Sequence, residues 1–308
     1  MKSFLLKISF YIIGIIAVLL FLGSFADGNI DDDYMHFAVE KPQNIILGDS
    51  RSAQGIIPSV LDKKLSKKFD NFSLNIAASP YGPVYFKALK RKLDPDTKNG
   101  VFILTISPWN LGIDNKIKSV EDFPEKNSPL NNMYFYDWSP NYEYLIKNYN
   151  RSWFKIYTER AEKVGRSNTF LHKDGWMEVN VTMHKDSVAA RTALKAKSYK
   201  TMAKDVNLSQ ERLKSLNEII NYLRTKGTVY LIRIPTSKDL QAIENERFPQ
   251  FNKVIHDIAH QQNVKIYDFS KCSDDYTYTD GNHLFKESGK AFTSRIADSI
   301  SVSKRGLK

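Results

Sequence analysis

The chain has 308 residues, 42% hydrophobic and 26% charged, a balance that suits a globular body with one large core or two modest ones and excludes collagen-like and low-complexity classes. The single cysteine, Cys272, excludes an internal disulfide framework and a cysteine-built zinc site. The formal net charge of +11 comes from lysines spread along the chain. That pattern reads as solvated helix faces and also suits an anionic neighbour such as a headgroup surface or an acidic glycan; no nucleic-acid-binding motif accompanies it, so no nucleic-acid partner is expected.

The first predicted element is an uncharged apolar run over 8–26, preceded by Lys2 and Lys7 and followed by Asp27, Asp31, Asp32 and Asp33. About nineteen residues at a rise of about 1.5 Å approach the hydrocarbon thickness of a bilayer. With lysines before the run and acids after it, the positive-inside bias puts the N-terminus in the cytoplasm and the body outside, in a periplasm or at the cell surface. Ser24 and Ala26 have the −3 and −1 spacing of a signal-peptidase site, so a cleaved leader and a secreted body is the alternative to a retained anchor over 1–26. Residues 27–40 read as a short acidic linker.

From residue 41 to 308, short apolar runs alternate with amphipathic helices. The runs fall at 45–47, 72–77 (with the weakest pattern), 101–106, 228–234 and 264–269, and several are apolar on both faces. Pro83 opens a helix to about Leu93. Leu213, Leu216, Ile220 and Leu223 form a stripe, with Asn207 and Gln210 as candidate caps and Gly227 just past its end. Phe285, Phe292, Ile296 and Ile300 mark a last helix. The expected fold is a three-layer α/β domain around an open parallel sheet. Residues 111–205 break the rhythm, are rich in aromatics and are too long for a plain loop, so an insertion with its own helices is expected there; 171–180 reads as a turn leading into a strand.

In an open parallel sheet, ligands bind beyond the carboxyl ends of the strands. Gly48-Asp49-Ser50 falls there, after the first run. A serine hydroxyl becomes a nucleophile only when a base takes its proton, usually a histidine held in one tautomer by a carboxylate. Of the six histidines, only His283 follows a carboxylate at short spacing in turn sequence, in Asp280-Gly281-Asn282-His283. His172, His184, His256 and His260 read as surface or structural residues. His256 and His260 stand at i, i+4 on a helix, a spacing that suits a metal, but without an accompanying glutamate motif. Asp49 is assigned to the turn, and Arg51 either pairs with Asp49 or meets an anionic substrate, the pairing being preferred.

These two blocks, in this order and at the two ends of an α/β chain, resemble the SGNH, or GDSL-like, hydrolase superfamily over 41–110 and 206–300, outside the insertion. The resemblance implies an SGNH/flavodoxin-like sheet, with Ser50 as nucleophile, His283 as base and Asp280 as its orienting acid. It also implies oxyanion donors: the Ser50 N–H, a glycine after the second strand and an asparagine after the third. In this chain those are Gly82 in "NIAASPYGP" and Asn110 in "SPWNLG", both without the family's usual neighbours. The layout of one N-terminal membrane segment, an exported core and an insertion is similar to that of envelope acyltransferase relatives, such as the membrane-anchored alginate O-acetylation proteins and the D-alanyl lipoteichoic acid transfer protein. The implied function is an esterase or O-acyltransferase acting on acyl esters of a cell-envelope glycan, with no cofactor and no metal, and with a membrane-bound acyl-donor protein as a further partner. The departures in the middle blocks keep a second class open, a weak or inactive SGNH-fold protein that binds glycan or scaffolds polymer modification. Phosphate-ester chemistry at Arg51 and the lysines lacks a metal-ligand cluster.

Overall fold

The structure, a computed structural model, describes residues 1–160 and 167–305. Residues 161–166 of the expected insertion and 306–308 at the end of the expected domain lie outside the described residues. Helix α1 (Lys2–Gly23) is apolar on all sides and exposed as far as Phe21. Its 22 residues are long and apolar enough to cross a membrane or to serve as a signal sequence.

The segment after it is not the linker expected from its acids. Tyr34–Phe37 forms a single 3₁₀ turn, and all four residues are buried. Ile30 and Ala38 join the same core. Asp31 accepts the N–H groups of Asp33 and Tyr34 and the hydroxyl of Tyr144. Burial pushes the Asp33 carboxyl up to about 7, with Asp31 and Asp32 adding to the shift. Asp31 and Asp33 are part-buried turn residues rather than a solvated spacer, and Asp32 stays at the surface.

The core then follows in chain order: β1 (Asn44–Leu47), α2 (Ser50–Gly55), α3 (Pro58–Leu65), β2 (Phe69–Asn71), α4 (Pro83–Lys92) and β3 (Gly100–Thr105). The insertion carries β4 (Gly112–Asp114), α5 (Pro129–Asn132), α6 (Tyr142–Lys147), α7 (Trp153–Thr158), β5 (Thr169–Leu171), β6 (Met177–Val179) and α8 (Lys185–Ala203). The chain returns through β7 (Val206–Leu208), α9 (Gln210–Arg224), β8 (Gly227–Arg233), α10 (Lys238–Arg247), α11 (Phe251–Gln261), β9 (Lys265–Asp268) and α12 (Lys286–Arg305). Strands β2-β1-β3-β8-β9 form one parallel sheet in that order, the doubly wound arrangement of flavodoxin-like folds.

Alternation along the strands feeds two cores. Leu47, Phe102, Leu104, Val229 and Leu231 face one layer of helices. Ile46, Val101, Ile103, Tyr230 and Ile232 face the other, where Phe292, Ile296 and Ile300 of α12 pack. The weakest expected strand moves: β2 is Phe69–Asn71, not 72–77. Its polar residues are buried because they have partners: the Lys92 ammonium lies 3.7 Å from Asp70, and the Asn71 amide donates to the carbonyls of Ser52 and Ile56. The cap of α9 is Ser209, whose hydroxyl accepts the Arg212 N–H, while Asn207 lies in β7 and Gly227 opens β8.

Strand β4 pairs antiparallel with β7, which ties the two ends of the insertion together. The β5–β6 hairpin meets the outer edge of β2: the Asn71 N–H donates to the Asp174 carbonyl, and a Cβ on Gly175, at φ +78°, would lie 2.0 Å from the Asn71 carbonyl oxygen.

Candidate active site

The turn from β1 into α2 has no spare room. A Cβ on Gly48 would lie 1.9 Å from the Thr105 hydroxyl oxygen on β3, so only glycine fits beside the neighbouring strand. The Gly48 N–H donates to the Tyr85 hydroxyl at 3.1 Å, and its carbonyl accepts from the Ser79 hydroxyl at 2.7 Å. Asp49 caps α2: one carboxylate oxygen accepts the Arg51 N–H at 3.0 Å, and the other accepts the Ser107 hydroxyl at 3.0 Å. Asp49 is thus spent on the turn, as expected. Ser50 is the first helical residue and half-buried. Its N–H belongs to the first turn, which has no preceding carbonyl to take it up.

The second half of the site stands on the loop between β9 and α12. Ser50 Oγ lies 2.9 Å from His283 Nε2, across 233 residues of chain. On the other side of the ring, Nδ1 lies 3.0 Å and 3.1 Å from the two Asp280 oxygens. Asp280 also accepts the N–H groups of Asn282 and His283, which fixes the carboxylate against its own loop. Burial raises the Asp280 pKa, but the His283 ring and N–H and the Lys195 ammonium outweigh it and hold the group well below the usual carboxylate range. Asp280 is therefore charged at neutral pH and favours the tautomer with the proton on Nδ1, which leaves Nε2 unprotonated and able to accept from Ser50, the nearer of the two donors that face it.

Arg51 departs from both readings made of it. It is buried, so it meets no substrate, and its guanidinium pairs with Glu244 at 2.6 Å rather than with Asp49. Glu244 also accepts the Trp109 indole N–H at 2.7 Å and lies 3.5 Å from Arg233. Arg51 Nε donates to Asn282 Oδ1 at 2.9 Å, so the Asn282 amide nitrogen faces His283 Nε2, 3.1 Å away. The charge beside the nucleophile thus braces the loop of the base. Burial works against the Arg51 cation, but Glu244, then Tyr199 and Asp49, outweigh it and raise its pKa.

Of the two middle-block donors, the asparagine is diverted. Asn110 is fully buried; its amide oxygen accepts the Ser107 N–H at 3.0 Å, and its amide nitrogen donates to the Thr105 carbonyl at 3.1 Å. It ties off the turn after β3 and does not reach solvent. Gly82 opens α4 against a buried ion pair: a Cβ there would lie 2.8 Å from Glu125 and 3.0 Å from Arg212, which pair with each other at 2.8 Å. Both assignments followed from the resemblance; the Asn110 side chain serves the scaffold, and Gly82 has no room for a side chain beside the ion pair.

Sequence reasoning missed the contribution of the insertion. Lys195 of α8 lies 3.3 Å from Asp280, and Arg191 donates to the Thr279 carbonyl at 2.7 Å. Gly281, at φ +77°, has Thr192 and Ser237 so close that a Cβ would lie 2.8 Å from each. Opposite, the Trp176 indole of the β5–β6 hairpin donates to the Gln54 carbonyl on α2, and Lys286 binds Glu178 and Asn180 of the same hairpin. His256 and His260 are exposed, and no group of three or more His, Cys, Asp or Glu able to hold a metal occurs among the described residues.

The chain matches no protein-family model and no curated protein. Among solved structures it is similar to a carbohydrate acetylesterase from Sinorhizobium meliloti (9% identity, 84% of this chain and 97% of that one, TM-score 0.38). It is also similar to a phospholipase A1 from Streptomyces albidoflavus (12% identity, 84% and 99%, TM-score 0.40) and to an inhibitor-bound aryl esterase of M. smegmatis (9% identity, 86% and 99%, TM-score 0.37). With TM-scores below 0.5, these likenesses do not decide the chemistry, which is read from the chain's own residues. The sheet order and the positions of the Gly-Asp-Ser and Asp-x-x-His blocks on it agree with the resemblance to SGNH hydrolases drawn from the sequence.

Proposed function

We propose that the protein is an exported serine ester hydrolase or O-acyltransferase that acts on acyl esters of a cell-envelope glycan. The observation that carries the chemistry is the 2.9 Å approach of Ser50 Oγ to His283 Nε2 with the Asp280 carboxylate behind the ring. Ser50 Oγ attacks the acyl carbonyl as its proton passes to His283 Nε2. Asp280 holds the Nδ1–H and offsets the imidazolium charge. The Ser50 N–H faces the developing oxyanion. Collapse breaks the carbon–oxygen bond of the ester, and the leaving alkoxide takes the proton from Nε2. Water or a sugar hydroxyl then repeats the sequence on the acyl-serine, giving hydrolysis or transfer. The glycan and the exported location draw on the apolar α1 and the basic surface, and a membrane acyl-donor protein is the partner that transfer requires.

The test is covalent labelling of the full chain with a fluorophosphonate, together with turnover of a simple aryl acetate. Ser50→Ala is expected to abolish labelling and to lower turnover by at least about 1,000-fold with an unchanged fold. Undiminished turnover in Ser50→Ala removes the proposal. One observation favours a second reading, a glycan-binding or scaffolding protein. The Asn110 amide is engaged elsewhere, and losing an oxyanion donor costs about two to three orders of magnitude in rate. Wild-type protein that binds glycan but resists the fluorophosphonate would support that reading.

A further inference from the structure

At the foot of α1 the body carries apolar surface that the fold leaves uncovered. The helix enters the body at Gly23, with Tyr142 and Leu145 of α6 against it. The Tyr142 hydroxyl donates to the Leu20 carbonyl at 2.7 Å, and Phe21 packs near Tyr157 of α7, with ring centroids 6.5 Å apart. Helices α6 and α7 therefore flank the last turn of α1. On α6, Ile146 stands one turn beyond Tyr142, on the same face, and is 75% exposed. On α7, Phe154 continues the row of rings from Phe21 through Tyr157, at 6.4 Å from the latter, and is 61% exposed. Trp153 stacks on Tyr142, and Lys155 rises beside them at the surface, next to Arg151, which pairs with Glu159 at 2.6 Å.

We infer that this α6–α7 face lies in the headgroup layer of the membrane that α1 spans, a lipid surface continuous with the helix. Tryptophan and tyrosine concentrate at the depth where a membrane span emerges, because their rings are apolar and their polar atoms stay wet. Cations on long stems suit the same layer, since the stem lies along apolar surface while the charge reaches phosphate. Short helices that present Ile and Phe outward with Arg and Lys beside them fit a position in the interface rather than in bulk water. The occupant follows from continuity: the row of rings begins on the span itself, so whatever surrounds Phe21 also surrounds Phe154. The body is then held in one attitude over the bilayer, not hung from a loose tether. From the same foot, the Leu171 N–H binds the Gly28 carbonyl, and the hairpin that β5 begins runs to Gln54 and Lys286 beside the triad. The inference rests on α1 being a retained span and goes beyond the proposed chemistry.

The test places a single environment-sensitive fluorophore on the full chain in phosphatidylcholine–phosphatidylglycerol nanodiscs. In a Cys272→Ser background, cysteines replace Ile146, Phe154, Ile12 within α1, and Leu194 on α8, which is 71% exposed. These four side chains are exposed, so the labels leave the core intact. Labels at 146 and 154 are expected to shift to the blue and to be quenched several-fold more than the label at 194 by a nitroxide near the headgroups. The label at 12 is expected to be quenched by a nitroxide deep in the acyl chains. If 146 and 154 behave like 194 while 12 is quenched, the interfacial face is wrong and the span stands. If 12 also escapes quenching, the span itself is wrong and the inference falls with it. Ester turnover by the same nanodiscs reports on the chemistry separately.

Discussion

The two halves of the catalytic pair are held by different parts of the molecule. The Ser50 turn belongs to the sheet: Gly48 is locked against β3, Asp49 is consumed as a cap, and Arg51 is neutralised inside the core by Glu244. The His283 loop is also braced by Arg51 through Asn282, but its outer side rests on the inserted helix α8 through Lys195, Arg191 and Thr192. The contrast teaches that the nucleophile is fixed from within the sheet and its core, whereas the base leans in part on the inserted segment. Changes on the first side should damage folding and activity together; changes on the second should touch activity with little effect on folding.

The strongest way to break the comparison is Glu244→Leu, which strips the buried Arg51 and Arg233 of their shared carboxylate. Uncompensated buried charge costs about 3–5 kcal/mol, and the upper end is expected in chemical denaturation, with fluorophosphonate labelling lost in parallel. Gly48→Ala comes next. A methyl group 1.9 Å from the Thr105 hydroxyl is expected to cost about 3 kcal/mol, part of which Thr105→Ala in the same chain should return. On the other side, Lys195→Met should lower kcat/KM about fivefold to tenfold while the denaturation midpoint moves little, because a part-exposed pair is worth about 1 kcal/mol or less. A large loss of stability in Lys195→Met would show that α8 supports the fold rather than the loop.

The smallest effect separates pH damage to the fold from pH damage to the site. Burial, followed by the Lys92 cation, lowers the His36 pKa to about 3 from its ordinary 6.5. Between those values the unfolded chain takes up a proton that the folded chain does not, so stability falls as pH drops through that window. Asp33 and Asp70, raised to about 7 and about 6, chiefly by burial, act in the opposite sense: their contribution is full below about 3.8 and is lost as pH rises. In His36→Phe that opposing contribution is gone. Thermal denaturation should then show a midpoint at pH 5 no lower than at pH 7.5, by contrast with a drop, or a smaller rise, in the wild type.

Much of the scaffold was legible because buried parallel strands are apolar on both faces. The runs at 45–47, 101–106, 228–234 and 264–269 lie within about a residue of β1, β3, β8 and β9. The second strand was misplaced because Asp70 and Asn71 look like surface residues until Lys92 and the carbonyls of Ser52 and Ile56 are brought to them. The buried turn at Tyr34–Phe37 is too short to show a period and lies among acids, so composition pointed to a linker. The partners of the triad loop were illegible for a different reason. Apolar residues are scattered around α8 without a stripe, and nothing local in a sequence pairs Lys195 with Asp280 or Arg51 with Glu244, 193 residues away. Asn110 was misread because a family's pattern was carried across a block in which this chain has its own turn.

The packed segment behind the first helix has one more consequence. A peptidase cut after Ala26 would leave a fresh amino terminus at Asp27, next to Gly28, which is already stitched to β5, and would take away Phe25 and Ala26, which pack against the core. The segment from Ile30 onward carries its own share of the core, while the face at α6 and α7 would lose the rings and the carbonyl that the leader sets against it. That choice sets the protein's address, tethered or released, and whether one face of the body keeps its cover.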